Sequence, residues 1–348
     1  MISNAVMSRQ HNMSTNLTAD YCKVPNLVTY QTLSWVMTGQ FVLGLPLNLS
    51  VLYIFIFRFK FWKNKSIFLF NIVVADLFLV ASLPAKVYDY QQGLKRSKDT
   101  VVCKILLFIV FLNRGASIVF LTTLCIDRYF GVVHLGRRNI VRVFKKSPQI
   151  STILWLVLLP LIIPTIINTS ECCNSHGCKF VMEYHGMTDI YREVAFLIQI
   201  IIPFIILVYC TVRIVNRLRK KTVGEKTKLR RAVWVVMSVV VVFSICFLPC
   251  TIARVLLLAV RLKAWQAAED IVLQVYNTLE VFSYTDCLLD PLVYCFFNSG
   301  FKNAYISTFC PTFLQKRPPN SACGMGTGAT ATTTTSGGKI MSLPIVEK

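Results

Sequence analysis

Seven long apolar stretches, separated by short polar segments, constrain the fold of this 348-residue chain more than any other feature. Each stretch reaches roughly the 20 residues that an α-helix needs to cross the ~30 Å hydrocarbon layer of a bilayer. With 55% hydrophobic and only 15% charged residues, the chain is also too apolar for a soluble domain of this length. The predicted spans are Ser34–Phe57, Ile67–Tyr90, Val101–Val133, Gln149–Ile167, Tyr191–Val215, Ala232–Val260 and Ile271–Phe297. We therefore predict an all-α membrane protein, a bundle of seven transmembrane helices.

Basic residues predict the orientation of this bundle. The segments 58–66, 127–147 and 213–231, which include the last turns of spans three and five, together with the tail after span seven, hold 24 of the 37 Lys and Arg residues but only 3 of the 16 acidic residues. Because Lys and Arg are enriched in cytosolic loops, these segments are expected inside the cell and the N-terminus outside. The net charge of +21 thus belongs to the loops, and no nucleic-acid partner is expected. No cleaved signal peptide is expected, and span one is predicted to act as the insertion signal.

The remaining segments complete the predicted organisation. Three Asn-X-Ser/Thr triplets on the outer side, at Asn12, Asn16 and Asn168, are candidate glycosylation sites. The tail is rich in Gly, Thr and Ser and is expected to be disordered, because it has too few apolar residues to form a core. The predicted division is an extracellular segment over 1–33, the bundle over 34–297, a short amphipathic eighth helix over 298–314 and a cytoplasmic tail over 315–348.

Charged residues at bilayer depth indicate a structural or functional role, because each costs at least ~2.5 kcal/mol to insert. The main ones here are Asp76, Arg114, the triplet Asp127-Arg128-Tyr129, Asp286 and Asp290. Arg114 lies fourteen residues before Arg128, about 21 Å further out along span three. It cannot lose its proton and has no acidic neighbour three or four residues away, so it needs an anion from elsewhere. That anion is either a ligand carboxylate or a protein carboxylate such as Glu280 in span seven.

An ordered set of motifs accompanies these charges. It comprises Asn48 in span one, the run NIVVADLFLV around Asp76, the triplet ending span three, Trp155, Pro203, the run CFLP from Cys246 to Pro249 and the run DPLVY from Asp290 to Tyr294. With these motifs at the right depths, residues 30–310 resemble the rhodopsin-like (class A) G-protein-coupled receptors. The resemblance implies a plasma-membrane receptor and not an enzyme, with a heterotrimeric G protein, arrestin, receptor kinases and membrane lipid as partners.

The resemblance also implies roles for individual residues inside the bundle. The implied activation switch consists of Asp127, Arg128, Tyr129, Phe247, Pro249, Asp290, Pro291 and Tyr294. The implied sodium pocket consists of Asp76, Ser117 and Asp286. Here the chain departs from the family pattern, because Asp286 and Asp290 stand where many members carry asparagine. No cofactor is expected other than this allosteric sodium ion.

The same resemblance implies disulfide bonds between cysteines outside the spans. The family bridge joins Cys103 to a cysteine of the second outer loop, which offers Cys172, Cys173 and Cys178. The preferred pairs are Cys103–Cys172 and Cys22–Cys178, with an exchange of Cys172 for Cys173 left open. In the tail, Cys310 lies sixteen residues after Tyr294 and is placed for acylation at the inner leaflet.

The outer half of the bundle narrows the ligand class. The position that carries aspartate in amine receptors is Val110, and the position of the opsin lysine is Tyr284, so ammonium ligands and retinal are not expected. The runs LNRGASIVFLT, LPAKVYDY, CFLPCTIARV and SYTDCLLDPLVYCF resemble the group of hydroxycarboxylic acid, oxoeicosanoid and twelve-HETE receptors.

This closer resemblance implies a carboxylate ligand and coupling to Gi/o. It assigns ligand contacts to Arg114, Arg254 and Tyr284, with Lys86 and Arg254 adding positive charge at the mouth of the pocket. The segment 261–270 lacks the cysteine found in the hydroxycarboxylic acid receptors, which favours the fatty-acid-derived members. A peptide receptor remains an alternative, and an anion transporter is a further one, although the chain shows no inverted repeat.

Overall fold

A computed structural model describes residues 22–58, 67–133, 147–167, 172, 187–219, 223–263, 265–297 and 299–309. The helices are α1 Leu27–Tyr53, α2 Ile67–Gln91, α3 Thr100–Val133, α4 Ser147–Ile167, α5 Met187–Arg219, α6 Val223–Cys246, α7 Leu248–Leu262, α8 Gln266–Ser283, α9 Asp286–Phe297 and α10 Ser299–Phe309. A π-helical turn, Ile54–Arg58, continues α1. Within these residues the only β-structure is an isolated antiparallel bridge between Lys23 and Leu94.

The helices coincide with the seven predicted spans, and the predicted fold class is confirmed. In the described part of the chain, five helical stretches are long and apolar enough to cross a membrane: Leu27–Arg58, Ile67–Gln91, Thr100–Val133, Glu193–Arg217 and Val236–Leu262. The fourth span contains a shorter apolar stretch, Ser147–Ile163, and the seventh is divided between α8 and α9. Many large apolar side chains point outward, among them Trp35, Leu156 and Ile252 at 66–70% exposure, as expected of a surface that faces lipid.

The first helix begins seven residues earlier than predicted, at Leu27. The cause is local, because the side chain of Asn26 accepts a 3.3 Å hydrogen bond from the Thr29 backbone N–H and so caps the helix. Just before it, the chain is tied to the loop after α2 by two backbone hydrogen bonds, from Val24 to Gly93 and from Lys95 to Cys22. Gly93 has φ +71°, a conformation that an L-residue rarely adopts.

Spans six and seven are each interrupted near the middle. Span six breaks at Phe247, between α6 and α7, where Pro249 lies in the first turn of the new helix. Span seven breaks at Tyr284, between α8 and α9, and Pro291 follows inside α9. Because a proline lacks the N–H that would continue the helical ladder, such positions bend helices and let their halves tilt separately.

Helix α3 occupies the centre of the bundle and packs against α2, α4, α5 and α6. It is 34 residues long. Of the residues in its most apolar 18-residue stretch, 72% are buried inside the protein. This position explains why the polar side chains of α3 are removed from both lipid and water. At the inner end, α10 packs back onto α1: Phe301 is fully buried with its ring 4.9 Å from that of Phe55, and the hydroxyls of Tyr305 and Ser50 lie 3.0 Å apart.

Candidate functional site

Arg114 lies in the buried core of the outer half of the bundle, and it is only 4% exposed. Its Nη2 donates to the Ser283 hydroxyl at 3.5 Å and to the Cys250 thiol at 3.6 Å, both long and to uncharged groups. Nη1 is buried and has no hydrogen-bond partner. A guanidinium carries five N–H donors, and leaving buried donors unsatisfied costs free energy, so this site is incomplete in the absence of an acceptor.

No carboxylate among the described residues lies within 4.0 Å of the Arg114 guanidinium. Glu280 is near enough to act on Arg114 through its charge but makes its contacts elsewhere. It accepts a 3.5 Å hydrogen bond from the Tyr276 hydroxyl and lies 3.8 Å from Arg96. The alternative in which Glu280 pairs with Arg114 is therefore absent from this structure.

Arg254 does not lie at an exposed mouth as the sequence suggested, because it is buried at 7% exposure. Its Nε and Nη2 donate to the two carboxylate oxygens of Glu193 on α5, at 3.0 and 2.8 Å. Its Nη1 donates to the Tyr276 hydroxyl at 2.9 Å. All three nitrogens of this guanidinium are thus engaged within the protein, which differs from the predicted role as a ligand contact.

Lys86 and Tyr284 also contact each other. The Lys86 ammonium donates a 2.6 Å hydrogen bond to the Tyr284 hydroxyl and lies 4.9 Å from the centre of its ring. Both residues are buried, at 7% and 3% exposure. The structure therefore brings two of the predicted ligand contacts together, at the point where span seven breaks.

An outer cleft between α2 and α3 leads to Lys86. Its lining residues are Lys86, Asp89, Tyr90, Lys95, Arg96, Ser97, Cys103, Leu106 and Leu107. Burial lowers the pKa of Lys95, which lies in the loop after α2, and the guanidinium of Arg96 keeps its charge at any ordinary pH. The cleft thus carries three basic side chains, Lys86, Lys95 and Arg96, and one carboxylate, Asp89.

The outer end of α3 is fixed by a disulfide between Cys103 and Cys172, the pair that the sequence analysis preferred. Cys22 is disulfide-bonded too. Its predicted partner Cys178, together with Cys173 and Cys310, lies outside the described part, as do the glycosylation candidates Asn12, Asn16 and Asn168. The Cys103–Cys172 bridge holds Cys172 against the helix that carries Arg114.

Three carboxylates, Asp76, Asp286 and Asp290, lie deeper in the bundle and are at most 1% exposed. The thiol of Cys287 is within electrostatic reach of all three. Both oxygens of Asp290 and the hydroxyl of Ser117 are buried with no hydrogen bond to the described residues. Oxygen donors of this kind suit a hard cation, and a buried carboxylate requires either a proton or a counter-ion.

The geometry nevertheless limits how a cation would be held. Within the described ranges, no group of three or more acidic, His or Cys side chains surrounds a common metal position. Asp286 is already engaged, because it accepts hydrogen bonds from the Asn113 amide at 3.2 Å and from the Cys287 backbone N–H at 2.7 Å. A sodium ion here would rely on fewer carboxylates than the sequence suggested, together with neutral oxygens.

The residues of the implied switch lie at the inner end of α3 and at the breaks in spans six and seven. Asp127 is buried and Arg128 is half-buried. The Tyr129 hydroxyl forms hydrogen bonds with Tyr209 and Arg213 of α5. Phe247 packs its ring 5.6 Å from Phe243, at the break in span six. Tyr294 lies in α9 with its side chain outside the described part, so its approach to Arg128 stays a prediction.

Sequence reasoning missed two functional candidates, Glu193 and Tyr276. Glu193 is an acidic residue near the outer start of a predicted span and is 9% exposed, so its cost of insertion was a usable signal. Tyr276 gave no such signal, because a tyrosine is common in membrane helices. Its role follows only from contacts that join α7 to α8.

Residues 47–294, more than two thirds of the chain, match the family described as 7 transmembrane receptor (rhodopsin family). The chain therefore belongs to the rhodopsin family of seven-transmembrane receptors. This match confirms the predicted class, a membrane receptor and not an enzyme.

The similar proteins include three receptors. Over 289 residues the chain is 32% identical to hydroxycarboxylic acid receptor 2 of Homo sapiens, covering 80% of this chain and 77% of that protein. Over 292 residues it is 31% identical to the 12-(S)-hydroxy-5,8,10,14-eicosatetraenoic acid receptor of Mus musculus, with 82% and 90% covered. Over 275 residues it is 29% identical to oxoeicosanoid receptor 1 of Homo sapiens, with 76% and 69% covered. The predicted resemblance to this receptor group is confirmed.

Proposed function

We propose that this receptor is activated by a small carboxylate, a hydroxycarboxylic acid or a hydroxy or oxo fatty acid, and that Arg114 holds the carboxylate group. The observation that carries the proposal is the buried Nη1 of Arg114, which has no partner among the described residues. A carboxylate matches the planar fork of a guanidinium with two parallel hydrogen bonds. The names of the related receptors, which refer to hydroxy acids and an oxoeicosanoid, support the same ligand class.

The side chains around Arg114 suit the remainder of such a ligand. The guanidinium carbon of Arg114 lies 5.4 Å from the ring centre of Phe196, and Ser283 offers a hydroxyl beside it. Apolar walls with a few placed polar groups are typical of small-molecule sites. Lys86, which lines the outer cleft, and Tyr284, which accepts its hydrogen bond, then serve a hydroxyl or oxo group of the ligand instead of the carboxylate.

Saturation binding to Arg114 variants tests the proposal, after a panel of short hydroxy acids, long hydroxy and oxo fatty acids and acidic peptides has given the best ligand. Arg114→Ala is expected to weaken binding by roughly 2 to 5 kcal/mol, or about 30-fold to several thousand-fold, because the ligand anion is left unpaired. Arg114→Lys keeps the charge without the fork and should recover part of the loss. Arg261→Ala, which removes a half-exposed arginine paired with Glu269, is the control.

Affinities are normalised to surface receptor. Near-normal affinity in Arg114→Ala would reject the carboxylate anchor. A response to acidic peptides but to none of the acids would favour the peptide-receptor alternative.

We also propose that the receptor lies in the plasma membrane with its N-terminus outside and couples to Gi/o to inhibit adenylyl cyclase. The enrichment of Lys and Arg in the inner segments supports this orientation, and the related receptor group supports the coupling. An agonist response that survives pertussis toxin unchanged would exclude Gi/o. Arrestin, receptor kinases and inner-leaflet lipid are proposed as further partners, with Cys310 as the acylated residue.

Within the bundle, we propose sodium as an allosteric ion near Asp76, Asp290 and Ser117. The buried oxygens of Asp290 and Ser117 support this site, because they form no hydrogen bond with the described residues and are atoms of the kind that coordinate a hard cation. When bound, the ion would supply a positive charge to the buried carboxylates. The protein's own contribution is to hold those oxygens in a dry site between α2, α3 and α9.

A further inference from the structure

The pair Glu193–Arg254 joins α5 to α7 beside the proposed ligand site. Both side chains are largely buried, at 12% and 8% exposure, and the contact is bidentate. Tyr276 of α8 takes the remaining guanidinium nitrogen. The faces of the guanidinium are covered as well, with the ring centres of Phe196 and Tyr276 at 4.8 and 5.6 Å from its central carbon. No edge of Arg254 is left for a ligand anion.

The two buried arginines lie against the same aromatic side chain. Their guanidinium carbons lie 5.4 Å (Arg114) and 4.8 Å (Arg254) from the centre of the Phe196 ring, so the two carbons are no more than about 10 Å apart. A ligand whose carboxylate binds Arg114 therefore has Arg254 within the length of a short carbon chain. Of the two guanidiniums, only Arg114 has an unsatisfied nitrogen.

We infer that Glu193 is a specificity-determining residue: it supplies from within the protein the carboxylate that Arg254 would otherwise take from a ligand, and so restricts the site to ligands with a single anionic group. This inference rests on the proposed role of Arg114. A second carboxylate on the ligand would face the Glu193 carboxylate at short range, and like charges at a desolvated contact oppose binding. Selectivity then comes from repulsion of the dicarboxylate and not from any additional attraction to the monocarboxylate.

Glu193 does not exclude ligands whose second functional group is uncharged. A hydroxyl, an oxo group or a methyl end at the same place carries no charge and meets no repulsion. The Tyr276 hydroxyl, which donates to Glu280 at 3.5 Å, is a neutral partner nearby. The site therefore accepts a monoacid with an uncharged distal group.

Matched pairs of acids measure this selectivity in the full-length receptor in membranes. The probes are butanoic and butanedioic acid, octanoic and octanedioic acid, and decanoic and decanedioic acid, each competed against the best acid agonist. Wild type is expected to bind each monoacid more tightly than its matched diacid. In Glu193→Gln, Arg254 becomes available, and the affinity ratio of diacid to monoacid is expected to rise by roughly 10-fold or more for the best-fitting length. The double variant Glu193→Gln/Arg254→Gln should lose this gain.

Glu269→Gln is the matched control, since it removes the acidic partner of Arg261 in a half-exposed pair at the outer end of the bundle. It should leave the ratio unchanged. If Glu193→Gln reaches the surface poorly, the affinity ratio is measured in Glu193→Ala instead, a variant that leaves space for water at Arg254. An unchanged ratio in these variants, together with the expected loss of affinity in Arg114→Ala, overturns the inference and leaves the proposed function standing. If Arg114→Ala also binds normally, the proposed function itself fails.

Discussion

The ammonium of Lys86 on α2 donates a 2.6 Å hydrogen bond to the hydroxyl of Tyr284, the residue at which span seven breaks between α8 and α9. This contact connects α2 to the point at which span seven is interrupted. Because both side chains are buried, the ammonium depends on this hydroxyl and on the tyrosine ring. A ligand that competes for either group also acts on the geometry of the break.

Tyr284→Phe is expected to lower the stability of the ligand-free receptor by about 1.5 to 3 kcal/mol, because it removes the acceptor from a buried charge while keeping the ring. Thermal melting of the purified receptor in detergent measures the loss. Adding Lys86→Met should restore much of it, because the uncompensated charge is then gone. Tyr305→Phe, which removes a neutral hydroxyl contact with Ser50, is the control and should cost less. Equal melting temperatures for wild type and Tyr284→Phe would show that the contact contributes nothing.

Substitutions of Arg254 and Arg114 are expected to have different effects, the first mainly on surface expression and the second mainly on ligand affinity. Arg254→Gln leaves the Glu193 carboxylate buried without its partner, and breaking such a pair costs about 3 to 5 kcal/mol. The expected result is less receptor at the surface, with a smaller loss of affinity per receptor than in Arg114→Ala. Surface staining and saturation binding on the same cells separate these two effects.

The double variant Arg254→Gln/Glu193→Gln provides the control, since it removes both charges and should recover surface expression. The assignment of Arg254 to the internal pair would be wrong if Arg254→Gln expressed normally and lost as much affinity as Arg114→Ala.

The spans could be predicted from sequence because the requirement that produces them is local. About 20 consecutive apolar residues are long enough to cross the hydrocarbon layer wherever they occur in the chain. The start of the first helix differs from the predicted start because Asn26 caps it. The depth of Arg114 followed from counting residues along one helix. Its need for an anion followed from its chemistry.

The partners of the buried charges could not be predicted in the same way. Glu193 and Arg254 are 61 residues apart, and nothing in either local run specifies that their helices place them 2.8 Å from each other. The same holds for Lys86 and Tyr284, which are 198 residues apart. Such pairs depend on the packing of whole helices, so the sequence identified Arg254 and Lys86 as cations within the spans but did not identify the partner of either.

Truncation after Leu314 tests the proposed role of the tail, which follows helix α10. G-protein signalling should persist, because the truncated chain keeps the bundle and α10. Agonist-driven internalisation should fall, because the hydroxyl groups between Thr327 and Ser336 are removed as kinase substrates. Surface loss after agonist is the measurement. Cys310→Ser in the full-length chain is the control, since it removes only the proposed acylation site. Unaltered internalisation in the truncated receptor would contradict the proposed arrestin and kinase site.

Sodium is expected to lower agonist affinity, because an ion that binds one arrangement of the bundle better than the other shifts the population toward it. The effect should amount to about 1 to 3 kcal/mol, or 5-fold to 150-fold, and disappear in Asp76→Asn and in Ser117→Ala, which remove an oxygen donor from the dry site. Agonist competition curves in sodium chloride, compared with choline chloride at equal ionic strength, give the measurement. Ser82→Ala is the matched control on α2, because its buried hydroxyl donates to its own helix, to the Leu79 carbonyl at 2.7 Å. Sodium dependence that is identical in wild type and Asp76→Asn would place the ion, if it binds at all, away from these carboxylates.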